Sequence, residues 1–119
     1  MKTSDLTGAA LDWAVAKCEG VIVSQSKGGW PVFVSKDYAD LCGDTYGTYT
    51  SFRPSTNWSQ GGPIIEREKI DLMYVAKDND WIASRTMPWH HGLTPLIAAM
   101  RCYVASKLGD EVEIPKELK

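Results

Sequence analysis

The amino-acid sequence predicts an α+β fold, in which a small antiparallel sheet packs against two helices, one N-terminal and one C-terminal. Helical segments stand near both ends of the 119 residues, the β-like runs lie together between them, and no repeat or low-complexity linker divides the chain. Strands that cluster rather than alternate with helices favour antiparallel pairing over βαβ winding. Residues 1–119 are therefore expected to form a single domain, which at this length can bury a core without disulfides or metals.

The first predicted element is a helix that starts after Thr7 and ends before Gly20. A threonine hydroxyl can accept hydrogen bonds from the free amides of a first turn, and glycine suits the left-handed conformation after a last turn. An apolar stripe runs through Leu11 and Val15, and Trp13 lies on nearly the opposite side. The helix is expected to be buried on both sides, or else Trp13 faces a partner chain.

Short β-like runs fill the middle of the chain. Apolar and aromatic residues mark each run, and Gly, Asn and Asp residues with turn chemistry separate the runs. The predicted strands are Val21–Val23, Val32–Val34, Thr48–Phe52, Ile70–Ala76 and Trp81–Arg85, of which the last two form a hairpin. The rest of residues 36–54 and residues 87–92 are predicted loops.

The last predicted helix has the clearest boundary signals. Thr94 is an N-cap, Pro95 occupies the first helical position, where its missing N–H costs nothing, and Gly109 follows the end. The tail beyond Gly109 is expected to add an edge strand or to fray.

One face of this last helix consists of small residues, among them Ala98 and Cys102. Small residues let another backbone approach closely. Together with Trp13, this face is predicted to be an interface, and the chain is a possible homodimer.

The stretch NWSQGGPIIERE, residues 57–68, is the first candidate ligand site. Gly61-Gly62-Pro63 is expected to form a tight loop, with a turn of helix starting at Pro63. The predicted cradle holds a planar polar ligand or an anionic group, with an indole ring as its wall. Its residues are Asn57, Trp58, Ser59, Gln60, Gly61 and Gly62. In the alternative interpretation, the core beneath the loop is filled by Trp58, Ile64 and Ile65. The polar backbone groups of the loop are then satisfied by Asn57 and Ser59.

The start of the last helix is a second candidate anion site. Thr94 and the free first-turn amides of Leu96 and Ile97 lie close in sequence to His90 and His91.

Residues that could catalyse a reaction are scattered. The rings of His90 and His91 diverge in any regular conformation, and no four ligands stand at zinc spacing, so neither a metal nor another cofactor is expected. Cys102 lies mid-helix, which predicts a buried and inert thiol. Glu66 and Glu68 alternate with basic residues, a pattern typical of a solvated face.

Composition excludes several classes of partner. The formal charge is −2 without a basic patch, which argues against nucleic-acid binding, and no apolar run approaches the ~20 residues needed to span a bilayer. Three widely spaced cysteines and the absence of a signal-peptide pattern favour a reducing cytoplasm.

Three blocks of the sequence, LTGAALDWAVAKCEG, STNWSQGGPIIERE and TPLIAAMRCYVASKLGDEVEIP, resemble the phage NinX-like family. Its members are small proteins of tailed bacteriophages and prophages, and the family is a domain of unknown function. The resemblance implies a phage origin, expression in the bacterial host cytoplasm and an accessory rather than virion role, and it supplies no catalytic residues. The family's usual Gly-Pro-Thr-Pro before the last helix is here Gly92-Leu93-Thr94-Pro95.

Two classes of function remain open. The favoured one is a non-enzymatic binding module that docks to a host or phage protein or sequesters a small nucleotide-like molecule, because aromatic residues are plentiful and no catalytic set stands out. The alternative is a small hydrolase or nucleotide-modifying enzyme that uses Glu66 or His90/His91 near the Gly61-Gly62-Pro63 loop.

Overall fold

The computed structural model describes residues 1–20, 23–25, 31–33, 50–85 and 88–114. Within these ranges the fold is α+β, as the sequence predicts. After a short 3-10 turn at Thr3–Asp5, the helices are α1 (Gly8–Glu19), α2 (Trp58–Glu68) and α3 (Pro95–Leu108). The strands are β1 (Val23–Gln25), β2 (Pro31–Phe33), β3 (Thr50–Ser51), β4 (Asp71–Val75), β5 (Asp80–Ser84) and β6 (His90–Gly92). Residues 26–30, which separate the first two predicted strands, and most of the predicted loop before Pro54 lie outside the described residues.

The described strands form two antiparallel sheets of three strands each, in the orders β1-β2-β3 and β4-β5-β6. The predicted hairpin is present, with Leu72 opposite Ala83 and Tyr74 opposite Trp81. The third strand of this sheet is a correction, because residues 90–92 were expected in a loop. His91 pairs with Ile82 in β5, and a run of three residues is too short for its periodicity to reveal a strand.

Helix α1 begins and ends where the sequence predicts. Gly20 adopts the left-handed conformation at φ 70°, whereas Thr7 occupies the N-cap position without a capping bond from its hydroxyl. The helix is buried on both sides, and Trp13 is half-buried against the core. Its fully buried residues include one carboxylate, Asp12.

Helix α3 is the centre of the fold and packs against α1, α2 and the sheet of β4, β5 and β6. The Thr94 hydroxyl accepts a hydrogen bond of 3.1 Å from the Ile97 amide, which confirms the predicted cap. The small-residue face is covered inside the chain, since Ala98 and Cys102 are buried in the core cluster. These two residues therefore offer no surface to a second copy, and the prediction that they form an interface is wrong.

Close backbone contact between β6 and α3 explains why position 92 is a glycine. A Cβ atom placed on Gly92 in β6 would lie 2.4 Å from the amide nitrogen of Ala98 in α3. The strand and the first turn of the helix therefore touch without a side chain between them.

Helix α2 is the largest departure from the sequence-based expectation. Gly61, Gly62 and Pro63 lie inside the helix rather than in a tight loop. A Cβ on Gly61 would lie 2.4 Å from the carbonyl oxygen of Pro54 and 2.7 Å from Cδ2 of Leu96. Gly61 is thus required for close packing, not for a positive φ, and tertiary contact overrides the weak helix propensity of the sequence.

The C-terminal ends of α1 and α2 are joined to α3 by an ionic network. Both terminal nitrogens of Arg67 donate to the Glu19 carboxylate, at 3.0 and 2.6 Å, and the Tyr103 hydroxyl donates to the same carboxylate. Neighbouring Glu68 accepts from Arg67 at 2.9 Å and lies 3.7 Å from Lys107. Paired donors of this kind favour the ionised carboxylate, and the contact with Arg67 lowers the pKa of Glu68.

Residues 1–3 and residues 109–112 meet beside α3. Within its described residues the tail forms a single bridge, Lys2 opposite Glu111, and it shows neither of the two expected outcomes, an edge strand or fraying. The Thr3 hydroxyl donates to the Gly109 carbonyl at 2.7 Å, and Val112 and Ile114 are buried.

Candidate functional site

The first turns of α2 and α3 enclose a pocket of about 210 Å³. Ser55, Thr56 and Trp58 line one side, and residues 94–97 line the other. The packing at Gly61 brings the two helix starts this close, because Gly61 lies against Leu96.

Trp58 is the open wall of this pocket. It is 54% exposed, so it does not fill the core in the way that the alternative interpretation of the stretch requires. Ile64 from the same stretch is buried and Ile65 packs against the core, as that interpretation expects. An indole ring that is held on a helix start and left half open is a feature typical of contact surfaces.

Ser55 contributes a polar group without a partner. The residue is 2% exposed, and its Oγ atom makes no hydrogen bond within the described residues. Its amide, in contrast, donates to the Asp12 carboxylate at 2.8 Å. A buried hydroxyl without a partner costs free energy, and a ligand or a bound water at the pocket would remove that cost.

Most first-turn amides at the pocket already have acceptors. Asn57 Oδ1 accepts from the amide of Ser59 at 2.9 Å, and the Thr94 hydroxyl occupies the amide of Ile97. The amides of Trp58 and Leu96 make no hydrogen bond within the described residues. The predicted anion site at Leu96 and Ile97 therefore keeps one free amide rather than two, while the start of α2 adds another.

The polar cradle predicted from the sequence is not assembled. Asn57 and Ser59 bind each other, with the Ser59 hydroxyl donating to Asn57 Oδ1 at 2.6 Å. Gln60 is buried, and its side chain accepts from the amide of Arg53 at 2.5 Å. These residues satisfy their own backbone, so Trp58 is the member of the stretch that remains for a ligand. Gly61 and Gly62 lie within the helix behind it.

The two predicted ligand sites are partly merged in the structure, but the two histidines lie elsewhere. Trp58 and Thr94, predicted for different sites, line the same pocket. His90 and His91 do not line it. His91 is 67% exposed, and its Nδ1 lies 2.7 Å from the Asp80 carboxylate, an imidazole–acid pair on an open surface that lines none of the described cavities.

His90 belongs to a second cavity of about 140 Å³ that also contains Cys102 and Asp110. These three residue types occur together in cysteine hydrolases, where a low thiol pKa activates the nucleophile. Here burial raises the pKa of the Cys102 thiol and lowers that of the His90 imidazole, so neither favours a thiolate–imidazolium pair. Cys102 is buried, as its position in α3 predicts.

Glu66 lies on the exposed face of α2 and lines none of the described cavities. Across the described ranges, no three His, Cys, Asp or Glu side chains are grouped so that they could hold a metal ion.

Sequence reasoning missed Ser55 and Asp12. A signal existed for Asp12, because it is an acid in the middle of an apolar helical segment, and such a residue is buried only with a partner. For Ser55 the signal was weaker, since serine next to Pro54 is common in turns.

The fold and the pocket define a small α+β domain in which two helix starts and an open tryptophan form a recess. No helix within the described parts of the chain is long and apolar enough to cross a membrane. The family model described as "Bacteriophage P22, NinX" matches residues 2–107, and the chain belongs to this phage family. A search of curated proteins finds no match.

Proposed function

We propose that this phage protein is a non-enzymatic binding module that docks to a host or phage protein through the pocket between α2 and α3. The observation that carries the proposal is the half-open Trp58, which stands on a recess whose buried Ser55 hydroxyl has no partner among the described residues. Large aromatic side chains at a pocket are the usual anchors of protein interfaces.

The size of the pocket favours a side chain as its occupant. At about 210 Å³ it is smaller than the roughly 300–1,000 Å³ of pockets that enclose drug-sized ligands, so it holds one ring or one aliphatic side chain. Leu93, which directly precedes the pocket residue Thr94, is 81% exposed. A protein partner would cover Leu93 and the outer face of Trp58 together, which a small ligand inside the pocket would not.

A small nucleotide-like molecule is the second candidate. The free amides of Trp58 and Leu96 and the hydroxyl of Ser55 support it, because they suit a planar ring that carries one hydrogen-bond acceptor. The enzymatic alternative has less support, since Glu66 and the two histidines do not share a cavity in the described part of the chain.

The test compares Trp58→Ala with Met73→Ala in phage-infected or lysogenic cells. Met73 is exposed to a similar degree and lies on β4, outside the pocket. We expect a bound host or phage protein, identified by mass spectrometry, to be lost from Trp58→Ala and retained by Met73→Ala, with similar melting temperatures for both. A nucleotide-like passenger lost in the same pattern would favour the second candidate. Identical bound molecules in wild type and Trp58→Ala would refute both.

A further inference from the structure

The second cavity contains polar groups that the proposed function does not use. It lies between the ends of β5 and β6 and the last turns of α3, and none of its residues lines the Trp58 pocket. Its polar members are Arg85, His90, Ser106 and Asp110. At about 140 Å³ it admits an inorganic ion or a very small metabolite and nothing larger.

Arg85 is oriented by its Nε atom alone. This atom donates to the Glu68 carbonyl oxygen at 3.2 Å and lies 3.4 Å from the Glu68 carboxylate. The two terminal nitrogens of Arg85 make no hydrogen bond or ion pair within the described residues, so they remain available as donors. A guanidinium group with a fixed orientation and free terminal donors matches the geometry of an oxyanion.

His90 supplies a further donor. Its imidazole is half-buried, and burial lowers its pKa, so the ring is neutral at pH 7 and carries one N–H. Arg85, directly after the end of β5, and His90, at the start of β6, therefore present hydrogen-bond donors to the same cavity.

Ser106 and Asp110 present acceptors. The Ser106 hydroxyl donates to the Tyr103 carbonyl at 2.7 Å, which leaves only the lone pairs of its oxygen for a ligand. The Asp110 carboxylate is an acceptor as well. An oxyanion without a hydrogen would be repelled at Asp110, whereas one that keeps an O–H group can donate there.

We propose that this cavity binds a small oxyanion that retains a proton, for which hydrogen phosphate is the model ligand. Arg85 and His90 donate to its charged oxygens, and Asp110, aided by Ser106, accepts its O–H group. Sulfate has the same shape but carries no proton at neutral pH, so the cavity discriminates against it.

Calorimetric titration of the full chain with inorganic phosphate and with sulfate, at low ionic strength, tests this site. We expect saturable binding of phosphate, with sulfate weaker by about tenfold or more because one hydrogen bond is replaced by charge repulsion. Arg85→Gln should remove phosphate binding. Asp110→Asn should reduce the ratio of phosphate affinity to sulfate affinity, because the side-chain amide nitrogen of the asparagine can donate to sulfate.

The controls separate a site from general attraction. His91→Gln, next in sequence but outside the cavity, should leave phosphate binding unchanged, and in NMR spectra the ring signals of His90 rather than His91 should move on phosphate addition. Trp58→Ala should also bind phosphate normally, so this inference and the docking proposal fail independently. Equal binding of sulfate and phosphate, unchanged binding by folded Arg85→Gln, or no saturable binding in the millimolar range would overturn it.

Discussion

The carboxylate of Asp12 in α1 accepts a hydrogen bond of 2.8 Å from the amide of Ser55, and both residues are buried. This bond fixes the turn that leads into α2 against the first helix. It therefore positions the side of the pocket that Ser55 and Trp58 line.

Asp12→Ala should destabilise the fold by at least the roughly 1–3 kcal/mol that an unsatisfied buried amide costs, with a further loss from the other contacts of Asp12. Asp12→Asn, which keeps an acceptor oxygen, should lose less. Urea unfolding measures both against Asp5→Ala, an exposed acid near the same helix. If Asp12→Ala and Asp5→Ala unfold at the same urea concentration, the Asp12 bond contributes nothing to stability.

Gly61→Ala and Gly62→Ala should have opposite effects on stability. A Cβ at Gly61 overlaps backbone at Pro54, and such overpacking costs about 1–3 kcal/mol. At Gly62 the nearest atom is the Trp58 ring at 3.9 Å, so alanine fits and its better helix propensity adds up to about 1 kcal/mol. Thermal unfolding of the two variants measures the difference. A stabilising Gly61→Ala would show that α2 does not pack as described.

Arg67→Ala should destabilise the protein more than its own exposure suggests. The change leaves the Glu19 carboxylate, whose side chain is 5% exposed, without its bidentate partner, and we expect a loss of about 1–3 kcal/mol. Tyr103→Phe removes the second donor to Glu19. In a double-mutant cycle the two losses should be non-additive by at least about 0.5 kcal/mol. Additive losses, or an effect no larger than that of the exposed control Lys77→Ala, would contradict a shared network.

Stability should fall at alkaline pH because of Cys18. Burial, followed by the charge of Glu19, raises the pKa of this thiol from 9.0 to about 11. The folded state keeps the proton longer than the unfolded state, so this contribution is complete below pH 9 and is lost as the pH rises towards 11. Partial exposure limits the loss to on the order of 1 kcal/mol. Urea unfolding between pH 8 and 11 measures this effect in the wild type and in Cys18→Ala. The free energy of unfolding should decline less steeply with pH in the variant. If the free energy of unfolding falls equally steeply with pH in both proteins, Cys18 is not the cause of the alkaline loss of stability.

Local signals account for the elements that the sequence predicts well. Thr94, Pro95 and Gly20 act through the backbone of their own turn, so their effects are visible without the rest of the fold. Helix α2 has an equally local cap in Asn57, but two glycines and a proline follow it. What makes this segment helical is its contact with Pro54 and Leu96, which no local pattern reveals.

The same distinction applies to the candidate site. Trp58 and Thr94 were each selected from their own surroundings, but their shared pocket depends on the packing of α2 against α3. The histidine pair shows the reverse case. Adjacent residues on a strand point to opposite sides, and only the placement of β6 against β5 decides that His90 enters a cavity while His91 meets Asp80.

The contact between Gly92 and Ala98 has a dynamic consequence. No side chain lies between β6 and the first turn of α3, and the gap is too small even for a methyl group. Movement of one element therefore requires movement of the other. The two segments should open as one cooperative unit, so that their amides exchange with deuterium at matching rates.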